Sequence, residues 1–337
     1  MMTENMGNIN TNLQDKKSLS RLVFLGMASL VLCVSMFMSV FTPVPLVFAI
    51  IIYGRLKGAA LGLMGLLISV LMSQFIFPKE LLVFLYAGAL VMAFVIAEIW
   101  FRKMDPIKGI IRFGMGLLLL TGVTLGVSTQ FLTKPVKFYI IEEVKSVSAQ
   151  IQADREKILA EGGEDSKAMV ELFSSPEKMA DEVISTFPSA IFLVIFFGLW
   201  INLLIIIRSQ SMLFGDKLYP YTEKDFLSFT MPDYMVWLVI PSLVLAIWGK
   251  EYLGTWYEVG GMTALKCLGL FYFFQGFGIY MDFVAFLRIT GFFRTFLILF
   301  TVVTASWLIA LLGLFDVWVN FRKFFKKNNR NDEGDLE

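Results

Sequence analysis

The sequence predicts an all-α protein that crosses a membrane several times, as a polytopic transmembrane helical bundle of eight or nine spans. First, 57% of its 337 residues are apolar. Second, these residues form long uncharged runs, and several runs reach or nearly reach the ~20 residues that a helix needs to cross ~30 Å of hydrocarbon. Third, the charged residues lie mainly between the runs. The first expected partner is therefore the lipid bilayer.

Nine apolar segments are predicted as helices. They are 22–41, 43–54, 58–77, 81–100, 109–133, 183–207, 234–249, 261–287 and 295–315. The first run is twenty residues long, whereas the apolar core of a signal peptide has only ~7–15 residues, so the run is predicted as a membrane anchor. Segment 43–54 would rise only ~18 Å as a straight helix. It is either a short span or a re-entrant segment, and this choice decides between nine spans and eight.

The side of each loop is predicted from the rule that cytoplasmic loops carry more Lys and Arg. With nine spans and a cytoplasmic N-terminus, fourteen basic residues lie inside, but the basic tail with the letters FRKFFKKNNR lies outside. With eight spans the tail returns to the inside, and eleven basic residues of other loops move outside. The charges favour nine spans and leave the side of the tail open.

Composition divides the chain into five segments. They are a polar N-terminal segment (1–21), a first membrane half (22–133), an acidic extramembrane insert (134–182), a second membrane half (183–317) and a tail that is first basic and then acidic (318–337).

The insert 134–182 carries eleven acidic and seven basic residues and is predicted as an external helical hairpin with a break at Gly162-Gly163. It has an apolar stripe that either packs against neighbouring helices or forms a dimer or partner site. The stripe consists of Ile140, Val144, Val147, Ile151 and Ile158. The letters Ser175-Pro176-Glu177 predict the start of a helix that continues into the span at 183.

The composition excludes several kinds of chemistry. The chain has no histidine and two cysteines, Cys33 and Cys267, which lie apart in apolar runs and are predicted to pack as small apolar residues. No metal site, cofactor site or nucleophile–base pair is expected from these residues. The net charge is +1 and the basic residues are scattered, so nucleic acid is not an expected partner. Without an acid–base constellation, the chain is not predicted to be an enzyme.

Small residues at helical spacing predict close helix packing in a membrane. Gly58, Gly62 and Gly65 lie on one face of the third segment, and Gly122 and Gly126 lie on one face of the fifth. Both faces are predicted to pack within the protein, with dimerisation as the alternative.

Polar side chains inside spans are the candidate substrate-binding residues, because a polar group in hydrocarbon costs several kcal/mol unless it is paired or hydrated. Gln275 and Asp282 are seven residues apart on one helix face and flank Gly276 and Gly278. The glycines favour a loosened helix whose carbonyl groups line a cavity together with the carboxylate. The alternative is a helix that simply packs against aromatic neighbours.

Glu98 and Asn202 complete the candidate set. Glu98 is close to Arg102 and Lys103 at a helix end, a pattern typical of an interfacial carboxylate with basic partners. Asn202 is neutral and is able to hydrogen-bond across helices.

Four segments carry a family resemblance. They are PVPLVFAIIIYGRLKGAALG, FLSFTMPDYMVWLVIP, GLFYFFQGFGIY and GLFDVWVNFRK. These segments resemble the YybS-like family of uncharacterised bacterial membrane proteins, in which residues like Asp316 and Arg322 close the final span. The resemblance implies a multi-pass protein of the bacterial plasma membrane and implies no activity.

Residues 43–65 carry a second resemblance. A short helix led by proline ends in a glycine turn and precedes a glycine-rich helix, which is similar to the S components of energy-coupling-factor vitamin transporters over the first six spans. The resemblance implies a small-molecule pocket and coupling to an ATPase module through the first helix. The last three spans have no counterpart there, and the first helix only approximates the docking pattern of small residues.

Two classes of function remain. The first is binding or transport of a small molecule in an S-component-like manner, through Gln275, Asp282, Glu98 and Asn202. The second is a non-transporting scaffold whose external insert or basic tail recruits partners.

Overall fold

A computed structural model describes residues 19–75, 79–131, 133–153, 175–213 and 219–323. The regular elements of these residues are helices. The α-helices are α1 (Leu19–Val34), α2 (Pro43–Tyr53), α3 (Arg55–Met72), α4 (Lys79–Phe101), α5 (Pro106–Gln130), α6 (Val136–Ala153), α7 (Pro176–Leu213), α8 (Glu223–Leu227), α9 (Val236–Tyr252), α10 (Thr255–Phe286) and α11 (Gly291–Val319). Short 3-10 turns cover Met36–Phe41 and Asp233–Met235.

Seven of the described helices are long and apolar enough to cross a membrane: α3, α4, α5, α7, α10, α11, and α9 together with the turn before it. Two apolar helical stretches are shorter. One is α1, and the other is Met38–Tyr53, which joins most of the first 3-10 turn to α2. The prediction of one continuous helix over 22–41 is wrong. Ser35 adopts an extended backbone (φ −76°, ψ 94°), so α1 ends at Val34 and a 3-10 turn follows.

Several helices continue beyond the apolar runs that predicted them. Helix α7 has 38 residues and begins at Pro176, as the Ser-Pro-Glu letters predicted. Pro suits the first helical position because it has no N–H that would need a partner there. The first part of the insert forms α6, whereas Gly162-Gly163 and Ile158 lie outside the described residues.

The chain forms two compact units that are not consecutive halves. Unit 1 consists of Met1–Gly114 and Ile195–Phe229, and unit 2 consists of Met115–Val194 and Thr230–Glu337. The boundaries between the two units therefore fall inside α5 and α7. The division into five segments by composition stays a prediction.

Unit 1 is built around α2, which packs against α3 and α4. From Leu46 to Ile51 this helix is almost entirely inaccessible to solvent, with only Phe48 partly exposed. Helix α2 starts with Pro43 and ends at Tyr53. Gly54 follows it with a φ of 90°, which favours glycine, and turns the chain directly into α3. Segment 43–54 is thus a short buried helix.

The first glycine face lies at this contact. A Cβ added to Gly58 would lie 2.7 Å from the Cα of Ile50, and one added to Gly62 or Gly65 would clash with Leu90 or Tyr86. These three glycines therefore let α3 approach α2 and α4 closely.

The second glycine face does not lie at a close helix contact. Gly122 and Gly126 lie on the exposed part of α5, where an added Cβ would meet no heavy atom within 4 Å. They make no close helix contact within the described chain, because α5 is among the least buried of the long helices. Dimerisation through this face stays a prediction.

Unit 2 contains the hairpin of α9 and α10 and the packing of α11 against α10. A Cβ on Gly249 would lie 2.8 Å from the amide nitrogen of Glu258, so the two helices of the hairpin touch near their connection. Helix α11 is kinked at Ala305 (φ −135°, ψ 31°). The candidate site of unit 2 lies between the kink and the C-terminal end of this helix.

Candidate functional site

Gln275 is the centre of a buried hydrogen-bonded link in unit 2. Its side chain lies in the middle of α10 and is 2% exposed. The Met231 N–H donates to Gln275 Oε1 at 2.8 Å, and Gln275 Nε2 donates to Asp316 Oδ2 at 3.0 Å. One amide therefore connects the segment before α9, the middle of α10 and the last turn of α11.

Asp316 receives a second hydrogen bond from the chain that follows it. Asn320 has a left-handed backbone (φ 52°, ψ 60°) and ends α11, with its N–H donating to the Asp316 carbonyl at 2.9 Å. This turn brings the Phe321 N–H to Asp316 Oδ1 at 2.7 Å. A carboxylate near a helix C-terminus is unfavourable beside the helix dipole. The two donated hydrogen bonds offset that repulsion.

Two glycines allow the link to form, because they bring the backbones of α10 and α11 into contact. A Cβ on Gly276 would clash with the Ile309 carbonyl oxygen and would lie 2.8 Å from the Gly313 nitrogen. A Cβ on Gly313 would clash with the Tyr272 carbonyl oxygen. At this separation, the Gln275 side chain reaches across to Asp316.

Asp282 lies two turns after Gln275 and has a different environment. Its side chain is 53% exposed, and its Oδ2 is 3.9 Å from the Nε of Arg322, whose side chain is mostly buried. Gln275 and Asp282 therefore contact the same segment, residues 316–322. Together they hold the end of α11 and the turn after it against α10.

Glu98 lies at the end of α4 in unit 1. It accepts hydrogen bonds from Arg55 at 2.8 Å and from Arg102 at 2.5 Å, and both arginines are exposed. The expected pairing with Arg102 is present. Arg55 is the second partner, and it joins the turn between α2 and α3 to the end of α4.

Asn202 lies on α7 within unit 1 and is 0% exposed. Its Nδ2 donates to the carbonyl groups of Val40 at 2.8 Å and Gly198 at 2.7 Å. Its Oδ1 is buried and has no hydrogen-bond partner among the described residues. Asn202 thus bonds across helices and presents an unused acceptor.

The structure brings Gln275 and Asp282 to one segment of unit 2. Glu98 and Asn202 belong to unit 1, where each has its own partners. A substrate-binding role for the four residues stays a prediction. Within the described ranges, no group of three or more Cys, Asp or Glu side chains is placed to hold a metal ion.

The comparison with protein families identifies the chain more closely. A family described as predicted membrane protein (DUF2232) matches residues 21–317. The chain belongs to this family. No curated protein and no solved structure matches it. The DUF2232 match agrees with the predicted multi-span membrane protein, while the YybS-like assignment and the S-component similarity stay predictions.

Sequence reasoning alone did not include Asp316 among the site residues of this DUF2232 protein. Its position in the sequence could have identified it. An acidic residue in the last turn of an apolar helix is disfavoured by the apolar surroundings and by the negative end of the helix dipole. Such a residue requires hydrogen-bond donors, and Gln275 is a polar residue of the neighbouring helix that supplies one.

Proposed function

We propose that this DUF2232 protein binds a small molecule within unit 1, in an S-component-like manner, and that Asn202 contacts the ligand. The observation that carries the proposal is the buried Oδ1 of Asn202, which has no donor within the described chain. An unsatisfied buried acceptor costs roughly 1–3 kcal/mol. An N–H or O–H group of a ligand would remove that penalty.

The surroundings of Asn202 support a small-molecule site. The amide is held in a fixed orientation by Val40 and Gly198, so its oxygen is preorganised and needs no rearrangement to accept a hydrogen bond. Thr42, two residues beyond Val40, contributes a second buried polar side chain.

The make-up of unit 1 also supports the proposal. Unit 1 contains α1 to α4, which correspond to the first four apolar segments, together with the start of α5 and the second part of α7 from the fifth and sixth segments. The proline-led α2, the Gly54 turn and the glycine face of α3 all lie inside it. In its more specific form, the proposal adds that an ATPase module drives transport of the bound molecule.

The other three candidates have different roles in this proposal. Gln275 uses both ends of its amide in the link of unit 2, Asp282 pairs with Arg322, and Glu98 pairs with two arginines. Their polar atoms stabilise the helices, and ligand contact is left to Asn202.

The proposal predicts that Asn202→Leu abolishes ligand retention. The protein would be purified from native membranes in mild detergent, and mass spectrometry would identify both retained metabolites and co-purifying proteins. The wild type is expected to retain a small molecule that Asn202→Leu lacks, because leucine cannot accept the hydrogen bond. A thermal unfolding midpoint measured on the same samples separates loss of ligand from loss of folding.

Ser69→Ala is the matched control, because Ser69 is also buried in unit 1 but its hydroxyl donates to the Leu66 carbonyl at 2.7 Å. This variant is expected to retain the ligand. Equal retention by wild type and Asn202→Leu would refute the role of Asn202. Recovery of partner proteins with no small molecule in any sample would favour the scaffold instead.

A further inference from the structure

Three loops of unit 1 meet at one end of its helices. The Arg55–Glu98 ion pair joins the turn after α2 to the end of α4. The Tyr219 hydroxyl donates to the Met104 carbonyl, and the Tyr219 ring stacks on Trp100 with ring centroids 5.0 Å apart. Burial raises the pKa of Tyr219, so this hydroxyl stays protonated as a donor. The segment before α8 is therefore fixed beside the loop between α4 and α5.

This end of unit 1 carries a basic rim, which we define as eight exposed cationic side chains. They are Arg55, Lys57, Arg102, Lys103, Lys108, Arg112, Arg208 and Lys224. In the same described stretches there are four carboxylates, so the rim has an excess of positive charge. The positive-inside rule assigns such an end to the cytoplasmic side.

Each of the four carboxylates already has a local partner. Glu98 pairs with two arginines, and Glu223 lies 3.8 Å from Arg208. Asp105 accepts hydrogen bonds from two backbone N–H groups at the start of α5. Asp225 forms a capping box, and the backbone and hydroxyl hydrogen bonds from Thr222 hold the pKa of this carboxyl below its usual value.

Five cations of the rim make no ion pair with any described residue. They are Lys57, Lys103, Lys108, Arg112 and Lys224. Their charges are thus available to an anionic partner.

Exposed apolar side chains lie among these cations. Leu56 separates Arg55 from Lys57 and is 85% exposed, and the Arg55 guanidinium lies 4.9 Å from the Phe101 ring centroid. Cationic heads next to exposed apolar side chains suit the boundary between headgroups and hydrocarbon. A soluble acidic partner would not require the apolar component.

The backbone conformation of Lys103 also points to a role for its charge. Lys103 follows the end of α4 with a φ of 50°, a left-handed conformation for which glycine is preferred. The chain places a lysine there despite the strain, which presents a charge at the end of the helix.

We propose that the basic rim binds the phosphate groups of anionic phospholipids. Its loops are held in place by the contacts above. Four of its five available cations lie near the ends of the apolar helices α3, α4 and α5, and the fifth, Lys224, lies in the short helix α8. Its apolar side chains contact the acyl chains of the same lipids.

The test uses full-length protein in detergent micelles doped with phosphatidylglycerol or phosphatidylcholine. Native mass spectrometry would count retained lipids, and the thermal unfolding midpoint would be recorded in parallel. Phosphatidylglycerol is expected to bind and to raise the midpoint, whereas phosphatidylcholine and inorganic phosphate are not. A rim variant that neutralises four of the five cations is expected to lose about tenfold or more in phosphatidylglycerol affinity. Its changes are Lys57→Gln, Lys103→Gly, Lys108→Gln and Lys224→Gln.

A control variant removes four exposed lysines of unit 2 and is expected to bind like wild type. Its changes are Lys134→Gln, Lys145→Gln, Lys250→Gln and Lys266→Gln. The single change Lys103→Gly keeps the test independent of folding, because glycine relieves the left-handed strain while the charge is lost. It is expected to unfold no earlier than wild type without lipid and to bind phosphatidylglycerol more weakly.

Equal stabilisation by the two lipids, or equal loss in the rim and control variants, would overturn the proposal. Inhibition by millimolar inorganic phosphate with no effect of the acyl chains would identify a free phosphate site and would also overturn it.

Discussion

Gly276→Ala is expected to destabilise the packing of α10 against α11 by about 3 kcal/mol or more, which is at or above the upper end of usual overpacking penalties. The added methyl group would meet the Ile309 carbonyl oxygen and the Gly313 nitrogen, which are backbone atoms and cannot rotate away. The helices would have to separate, and Gln275 would then lose its reach to Asp316. The measurement is the free energy of unfolding in mixed micelles titrated with sodium dodecyl sulfate.

Gly269→Ala on the same helix is the control. A Cβ at Gly269 would meet no heavy atom within 4 Å, and alanine has the better helix propensity, so no loss is expected. If the two alanine variants unfolded alike, the backbone contact between α10 and α11 would be contradicted.

The second large effect is expected for the link between Gln275 and Asp316. Gln275→Leu and Asp316→Leu should each reduce the free energy of unfolding by roughly 2–4 kcal/mol, because each leaves buried hydrogen-bonding groups unpaired. Met231 N–H and Asp316 lose a partner in the first variant, and Phe321 N–H and Gln275 lose one in the second.

The double variant tests whether the two side chains act as a pair. It is expected to unfold with less than the summed loss, by a coupling of about 1–3 kcal/mol, because the second substitution removes a group that the first has already left unpaired. Strict additivity would show that the hydrogen bond between them contributes nothing. Asp282→Asn is the comparison, with an expected loss of no more than about 1 kcal/mol, since the Asp282 side chain is half exposed and its Oδ2 lies 3.9 Å from the Arg322 Nε.

Local features of the fold could be predicted from the sequence. Apolar run length predicted the helices, the Pro–Gly boundaries predicted α2 to within one residue, and Ser175-Pro176-Glu177 predicted the start of α7. Helix ends were harder to predict. Helix α10 begins at Thr255 and not at 261, because backbone hydrogen bonding continues through polar residues that hydropathy assigns to a loop.

Pairings between distant residues could not be predicted. Gln275 and Asp316 are 41 residues apart, and each is a single polar letter in an apolar run. Nothing in the period of either helix specifies that they meet, because the meeting depends on the crossing at Gly276 and Gly313. The division of α5 and α7 between two units also depends on which distant helices pack together, and the apolar run of a single helix does not reveal this.

The short helix α2 has a consequence for how the protein is made. Its 11 residues rise roughly 16 Å, about half of the hydrocarbon thickness, and the longer apolar stretch Met38–Tyr53 that includes it is still shorter than the ~20 residues of a typical span. We therefore do not expect it to leave the translocation channel as an independent transmembrane segment. The tight Gly54 turn joins it to α3, and the glycines of α3 let the two helices close on each other. We expect residues 43–72 to enter the bilayer as one hairpin, so that biogenesis of the N-terminal helices waits for the synthesis of α3.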